Sequence, residues 1–143
     1  MIFADTSFLL SLEGNDSNSP VATAHAKTLG EPVRVTPLNR LEFENVIRLL
    51  LFRRMLPEAE AAATLAAFAG DEETGRIVEI ACDWAGVIRE AMRLSRTRAA
   101  QEGHRVLDIL HVAAALKSGA TDFLSFDGRQ RTLAAAEGLT VGP

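Results

Sequence analysis

Leu107-Asp108-Ile109-Leu110-His111-Val112-Ala113-Ala114-Ala115-Leu116-Lys117-Ser118-Gly119-Ala120-Thr121-Asp122-Phe123-Leu124-Ser125-Phe126-Asp127 decides how the rest of the chain is read. Leu107, Leu110, Ala114 and Leu116 give an apolar face at helical spacing, and Gly119 is a C-terminal stop. The short apolar run from Phe123 to Phe126 has the character of a buried strand, and it ends on Asp127. In an α/β protein, a helix start and a strand end can face the same edge of the sheet, which is where ligands bind. Asp108 and Asp127 are therefore expected to meet. The macrodipole alone already favours an acid in a helix's first turn, so the weight of Asp108 depends on which other acids join it.

Working outward, Ile2-Phe3-Ala4 reads as a strand, Asp5-Thr6-Ser7 as a polar turn, and Phe8 to Leu12 as a helix. Gly14 to Pro20 is a loop, followed by a helix from Val21 to Leu29. Pro32 to Thr36 is a second strand, and Pro37 opens a helix reaching Phe52, with Glu42 early in it. Glu58 to Ala69, stopped by Gly70, completes a helical hairpin whose Phe52, Met55, Leu56 and Phe68 read first as core and otherwise as a partner-binding face. Arg76 to Ile80 is a third strand. Asp83 to Ala100 is a long helix whose apolar face includes Trp84, Val87, Ile88, Ala91 and Leu94, and Gln101 to Arg105 is a polar connection. Gly128 to Glu137 is the last helix and Leu139 to Val141 the last strand. This alternation predicts a three-layer α/β/α domain with a mainly parallel sheet. With parallel strands, Asp5, Glu42, Asp108 and Asp127 all belong to one edge.

The 143 residues, 48% of them hydrophobic and 24% charged, suit one globular domain over residues 1–143. The single cysteine, Cys82, rules out an internal disulfide and a thiolate cluster. An acid at position 5 and no basic region before it do not fit a signal peptide. No uncharged stretch approaches the roughly 20 residues that span a bilayer, so a cytoplasmic protein with no membrane partner is expected. A net charge of −4 does not fit a protein that coats nucleic acid non-specifically. It is compatible with a nuclease, because a carboxylate centre carries negative charge that bound metal neutralises.

Four clustered carboxylates repel one another unless a cation sits among them. Donors that are all oxygen favour Mg²⁺ or Mn²⁺, and such ions suit hydrolysis: they lower the pKa of a bound water and stabilise a leaving oxygen. With 19 acids in 143 residues, spacing alone does not single out a metal site.

The motifs Ile2-Phe3-Ala4-Asp5-Thr6-Ser7, Pro37 to Asn45 (with Glu42), Leu107 to Leu116 and Phe123 to Asp127 together, in this order, resemble the PIN-domain family, and in particular its small bacterial toxins of VapC type. The resemblance covers nearly the whole chain. It implies a Mg²⁺- or Mn²⁺-dependent ribonuclease acting on RNA, commonly a homodimer, held inactive by a cognate antitoxin. It also implies that Asp5, Glu42, Asp108 and Asp127 form the catalytic, metal-binding quartet, with Asp5 and Asp108 as leading ligands. Thr6, Ser7 and Ser125 match supporting polar positions, although Ser7 reads equally well as a helix N-cap. Arg40, Arg129 and Arg131 lie near the acidic motifs and are candidate phosphate contacts, or else solvated surface residues. His111, one turn beyond Asp108, is either a structural hydrogen-bonding residue or a neighbour of the scissile phosphate. In the VapC-like proteins the hairpin from Val46 to Phe68 is the expected antitoxin surface. The competing non-enzymatic reading is a catalytically silent module that keeps the fold and binds a regulatory partner.

Overall fold

A computed structural model describes residues 1–143. Five short strands, β1 (Ile2–Ala4), β2 (Val33–Val35), β3 (Ile77–Glu79), β4 (Asp122–Leu124) and β5 (Thr140–Gly142), form one sheet in the order β3-β2-β1-β4-β5. Every pairing is parallel. The chain moves outward from β1 through β2 to β3, then returns to the other side of β1 for β4 and β5. The order therefore reverses between β1 and β4, and the ends of those two strands form the crevice where such sheets bind ligands.

Alternation along the strands sends side chains to two separate cores. Ile2, Ala4, Val33, Val35, Ile77 and Leu124 face α1 (Thr6–Glu13), α2 (Ser19–Ala26), α3 (Pro37–Phe52) and α4 (Glu58–Glu73). Phe3 and Phe123 face the opposite layer, α5 (Trp84–Leu94), α7 (Val106–Lys117) and α8 (Gly128–Ala136). The rings of Phe3 and Phe123 stack at 6.1 Å, and each such burial contributes about 2–3 kcal/mol. The architecture is the expected three-layer α/β/α domain with a parallel sheet. None of its helices is long and apolar enough to cross a membrane.

Several boundaries differ from the sequence reading. Helix α1 begins at Thr6, because Asp5 rather than Ser7 caps it, and α2 begins at Ser19. Helix α4 runs through Gly70 to Glu73; the residue that turns the chain is Gly75, at φ +73°. The expected long helix after Asp83 is α5 followed by a π-helical turn at Ser95–Ala99 and one further turn, α6 (Ala100–Glu102). On α5 only Val87, Ala91 and Leu94 of the apolar face are buried; Trp84 and Ile88 lie on the adjacent stripe and stay exposed. The buried face of α7 is set by Ile109, Val112, Ala113, Ala114 and Ala115, leaving Leu107 exposed. In the α3–α4 hairpin Phe68 is core, stacked on Phe43, whereas Phe52 and Met55 are exposed.

Candidate active site

Asp5 leaves the end of β1 and caps α1, its Oδ1 accepting the Phe8 N–H at 2.9 Å. It is fully buried. The Ser7 hydroxyl donates to it at 2.8 Å and the Ser125 hydroxyl at 2.8 Å. Ser7 Oγ in turn accepts the backbone N–H groups of Phe126 and Asp127, at 2.9 and 3.2 Å. The two serines thus tie the β1 turn to the β4 turn. Burial pushes the Asp5 carboxyl up; the Phe8 N–H and the serine hydroxyls work against that shift.

Asp127 caps α8, accepting the N–H groups of Arg129 and Gln130 at 2.8 and 3.2 Å. Asp108 lies in the first turn of α7 and reaches back to the Arg105 N–H at 3.0 Å, as a capping-box acid does. The Arg105 side chain reaches both acids. Its Nε donates to Asp108 Oδ2 at 3.0 Å, and its Nη2 to Asp108 Oδ1 at 2.8 Å and Asp127 Oδ2 at 3.0 Å. Burial works to raise the Asp108 carboxyl, but the bonds and charge of Arg105 outweigh it and hold the group below its ordinary range.

Glu42, on α3, accepts from the Thr6 hydroxyl and from His111 Nε2 at 2.7 Å, both at Oε2. The His111 bond does most to hold its carboxyl low, against burial. Asn39 settles the histidine tautomer. Its Oδ1 accepts the Thr36 N–H and hydroxyl, so its Nδ2 is the group facing Ala4 O at 3.0 Å and His111 Nδ1 at 3.2 Å. An Nδ1 that accepts leaves the ring proton on Nε2, pointing at Glu42, a tautomer assigned from this network. Of the two sequence readings of His111, the structure supports the hydrogen-bonding one, and it supplies a partner 69 positions away.

Glu42, Asp108 and Asp127 line one cleft of about 510 Å³ with Thr6, Ser7 and Arg105, between apolar walls that include Leu10, Val46 and Val106. Asp5 and Ser125 lie beneath its floor, behind Ser7. As the side chains stand, no three acids or histidines are grouped closely enough to hold a metal ion together. The donor chemistry nevertheless fits a hard divalent cation: the acids offer only oxygen, and two of them already share one positive group, the Arg105 guanidinium.

The candidate arginines fare differently. Arg40 is not among the residues lining the cleft; it is paired with Glu44, Glu72 and Glu79 and lies over the Phe68 ring. Arg131 donates to Ser125 O and Pro143 O, each at 2.7 Å, and so ties the β4 turn to the C-terminus. Arg129 is exposed, and its charge helps lower Asp108. Sequence reading passed over Arg105 as part of a polar connection. The available signal was its place three residues before an acid in the first turn of a helix.

The sequence profile of the PIN domain family matches residues 2–136. The chain belongs to the PIN domain family. Among solved structures, VapC20 of Mycobacterium tuberculosis, described as a sarcin-ricin loop cleaving toxin, superimposes with a TM-score of 0.69 at 23% identity, each chain covered in full. FitAcB of Neisseria gonorrhoeae gives 0.64 at 18% identity, covering 100% of this PIN domain and 97% of that chain. VapBC2 of Rickettsia felis, solved with a promoter DNA fragment, gives 0.63 at 15%, covering 99% and 97%. These likenesses establish the fold. No curated protein matches the chain at the sequence level.

Proposed function

We propose that this PIN domain is a Mg²⁺- or Mn²⁺-dependent endoribonuclease, the toxin of a toxin–antitoxin pair, acting as a homodimer that its antitoxin holds inactive. The observation that carries the reading is the convergence of Glu42, Asp108 and Asp127 on one cleft, above buried Asp5, at the reversal point of a parallel sheet. The M. tuberculosis protein, a sarcin-ricin loop cleaving toxin, supports the toxin reading by analogy of fold.

Bound divalent cation would supply positive charge for the scissile phosphate and a water acidic enough to act near neutral pH. The resemblance makes Asp5 and Asp108 the leading ligands; because Asp5 is fully buried and Asp127 lines the cleft, Asp108 and Asp127 would hold the ion, with Glu42 and Asp5 completing the set directly or through water. Thr6 and His111 fix Glu42 by engaging Oε2, which orients that carboxylate for water. Ser7 and Ser125 keep Asp5 in register with the Asp127 turn. Of Arg40, Arg129 and Arg131, the candidates for a phosphate contact, Arg129 is exposed beside the acids, and the exposed Phe52 and Met55 of the α3–α4 hairpin are candidates for antitoxin contact.

Attack by water gives 5′-phosphate and 3′-hydroxyl ends. The test is incubation of purified protein with total RNA and Mg²⁺ or Mn²⁺, beside EDTA controls and Asp108→Asn, with the ends mapped. Metal-dependent cleavage with 5′-phosphate ends, reduced about a hundredfold or more in the variant, is expected. Ends carrying 2′,3′-cyclic phosphate would show that the RNA's own 2′-hydroxyl attacked, and the water mechanism would fall. Folded protein that binds metal and cleaves nothing would favour the silent interaction module.

A further inference from the structure

Arg105 makes more contact with the acids than any other cation in the chain. It covers both oxygens of Asp108 and one of Asp127, so the atoms best placed to hold a cation are occupied by a guanidinium. Two features separate this from an ordinary structural ion pair. The first is accessibility: the Arg105 side chain is 61% exposed while Asp108 is 2% exposed, so the guanidinium covers the acid from the solvent side and has a path outward. The second is independence from the helix. The start of α7 is held by the backbone bond from Arg105 N to Asp108 Oδ2, which persists if the side chain swings away.

The electrostatics run the same way. Asp108 and Asp127 come from different segments and share one cation; without it two like charges face each other across the cleft, a cost that any replacement cation would have to relieve. A divalent ion offers more charge to the same oxygens than a guanidinium does, and a guanidinium held between Asp108 Oδ1 and Asp127 Oδ2 repels it from them. We infer that Arg105 is a resident counter-ion that holds the cleft together before metal arrives and is displaced when a divalent cation binds. This rests on the proposed cation site, and it adds a threshold: the arginine lowers the apparent metal affinity and makes loading dependent on its release.

Mn²⁺ binding, measured by calorimetry on the full chain, tests it in wild type, Arg105→Gln, Arg105→Lys and Asp108→Asn. Removing the competing guanidinium should tighten Mn²⁺ binding of Arg105→Gln by roughly threefold to tenfold, the range expected for a multidentate but exposed ion pair. Arg105→Lys, which keeps charge without the planar fork, should fall between. A second readout needs no variant. The Arg105 Nε–H signal in a nitrogen-resolved NMR spectrum should be protected from solvent exchange without metal and lose that protection on saturation with Mg²⁺. Equal Mn²⁺ affinity in wild type and Arg105→Gln, weaker binding in Arg105→Gln, or an Nε–H still protected at saturating Mg²⁺ would each overturn the displacement. No Mn²⁺ binding by any form would overturn the cation site as well, which separates the two failures.

Discussion

At the scale of single residues, the chain contains a second acid whose environment sets its behaviour, and it lies away from the cleft. Glu13, at the end of α1, has a buried Oε1 with no hydrogen-bond partner. Burial, with the Asp71 carboxylate adding to it and Arg76 opposing, pushes its carboxyl from the ordinary 4.5 up to about 7. A folded-state value above the unfolded one means that the folded protein binds the proton more tightly. Stability contributed by protonated Glu13 is complete below about pH 4.5 and is lost as pH rises to about 7. Because the group is partly solvated, the loss is about 1–2 kcal/mol rather than the full linkage value. Urea unfolding followed from pH 4.5 to 8 should show wild type losing that much relative to Glu13→Gln; parallel profiles would refute the assignment. The same scale marks the limit of sequence reading. That Asp5, Glu42, Asp108 and Asp127 share one edge was legible because each falls near a strand end or helix start, where topology constrains its position; their selection from 19 acids rested on the family resemblance. The bond between His111 and Glu42, the Asn39 amide that orients it, and the Arg105 bridge were not, because they depend on side-chain reach between segments up to 72 positions apart.

At the scale of elements, type and order were legible and ends were not. The strands announced themselves as short apolar runs, but helix termini depend on which residue adopts a left-handed backbone, and composition shows only candidates. Gly70 and Gly75 look alike in sequence; only Gly75 takes positive φ, and α4 ends there. Gly75, Gly103, Gly119 and Gly138 all follow helical turns at positive φ. Arg54 does the same job after α3 at φ 57° without being glycine. The chain closes there with Met55 N donating to Leu50 O and Arg54 N to Leu51 O, each at 2.9 Å, a Schellman-type ending that satisfies carbonyls at the cost of a strained arginine. Arg54→Gly removes the clash of Cβ with the backbone and should raise the unfolding free energy by about 1 kcal/mol. A urea midpoint equal to or below that of wild type would show that the arginine contributes something there that its conformation does not reveal.

At the scale of the whole molecule, the cleft depends on residues that lie outside it. The family profile ends at residue 136, yet β5, from Thr140 to Gly142, forms the edge strand beside β4. Its ladder includes Thr140 N to Thr121 O and Ser125 N to Gly142 O, both at 2.9 Å. Ser125 is therefore held on both sides: its N–H by Gly142, its carbonyl by the Arg131 that also binds Pro143 O. Its hydroxyl is what anchors Asp5. Removing residues 140–143 would delete this support without touching any acid. The loss of several backbone bonds at about 1 kcal/mol each should lower stability by roughly 3 kcal/mol. If the proposed site is right, Mn²⁺ affinity should fall together with stability, because Asp5 and the Asp127 turn lose their common register. A truncated protein that unfolds earlier yet binds Mn²⁺ at wild-type strength would show that the cleft keeps its geometry without β5.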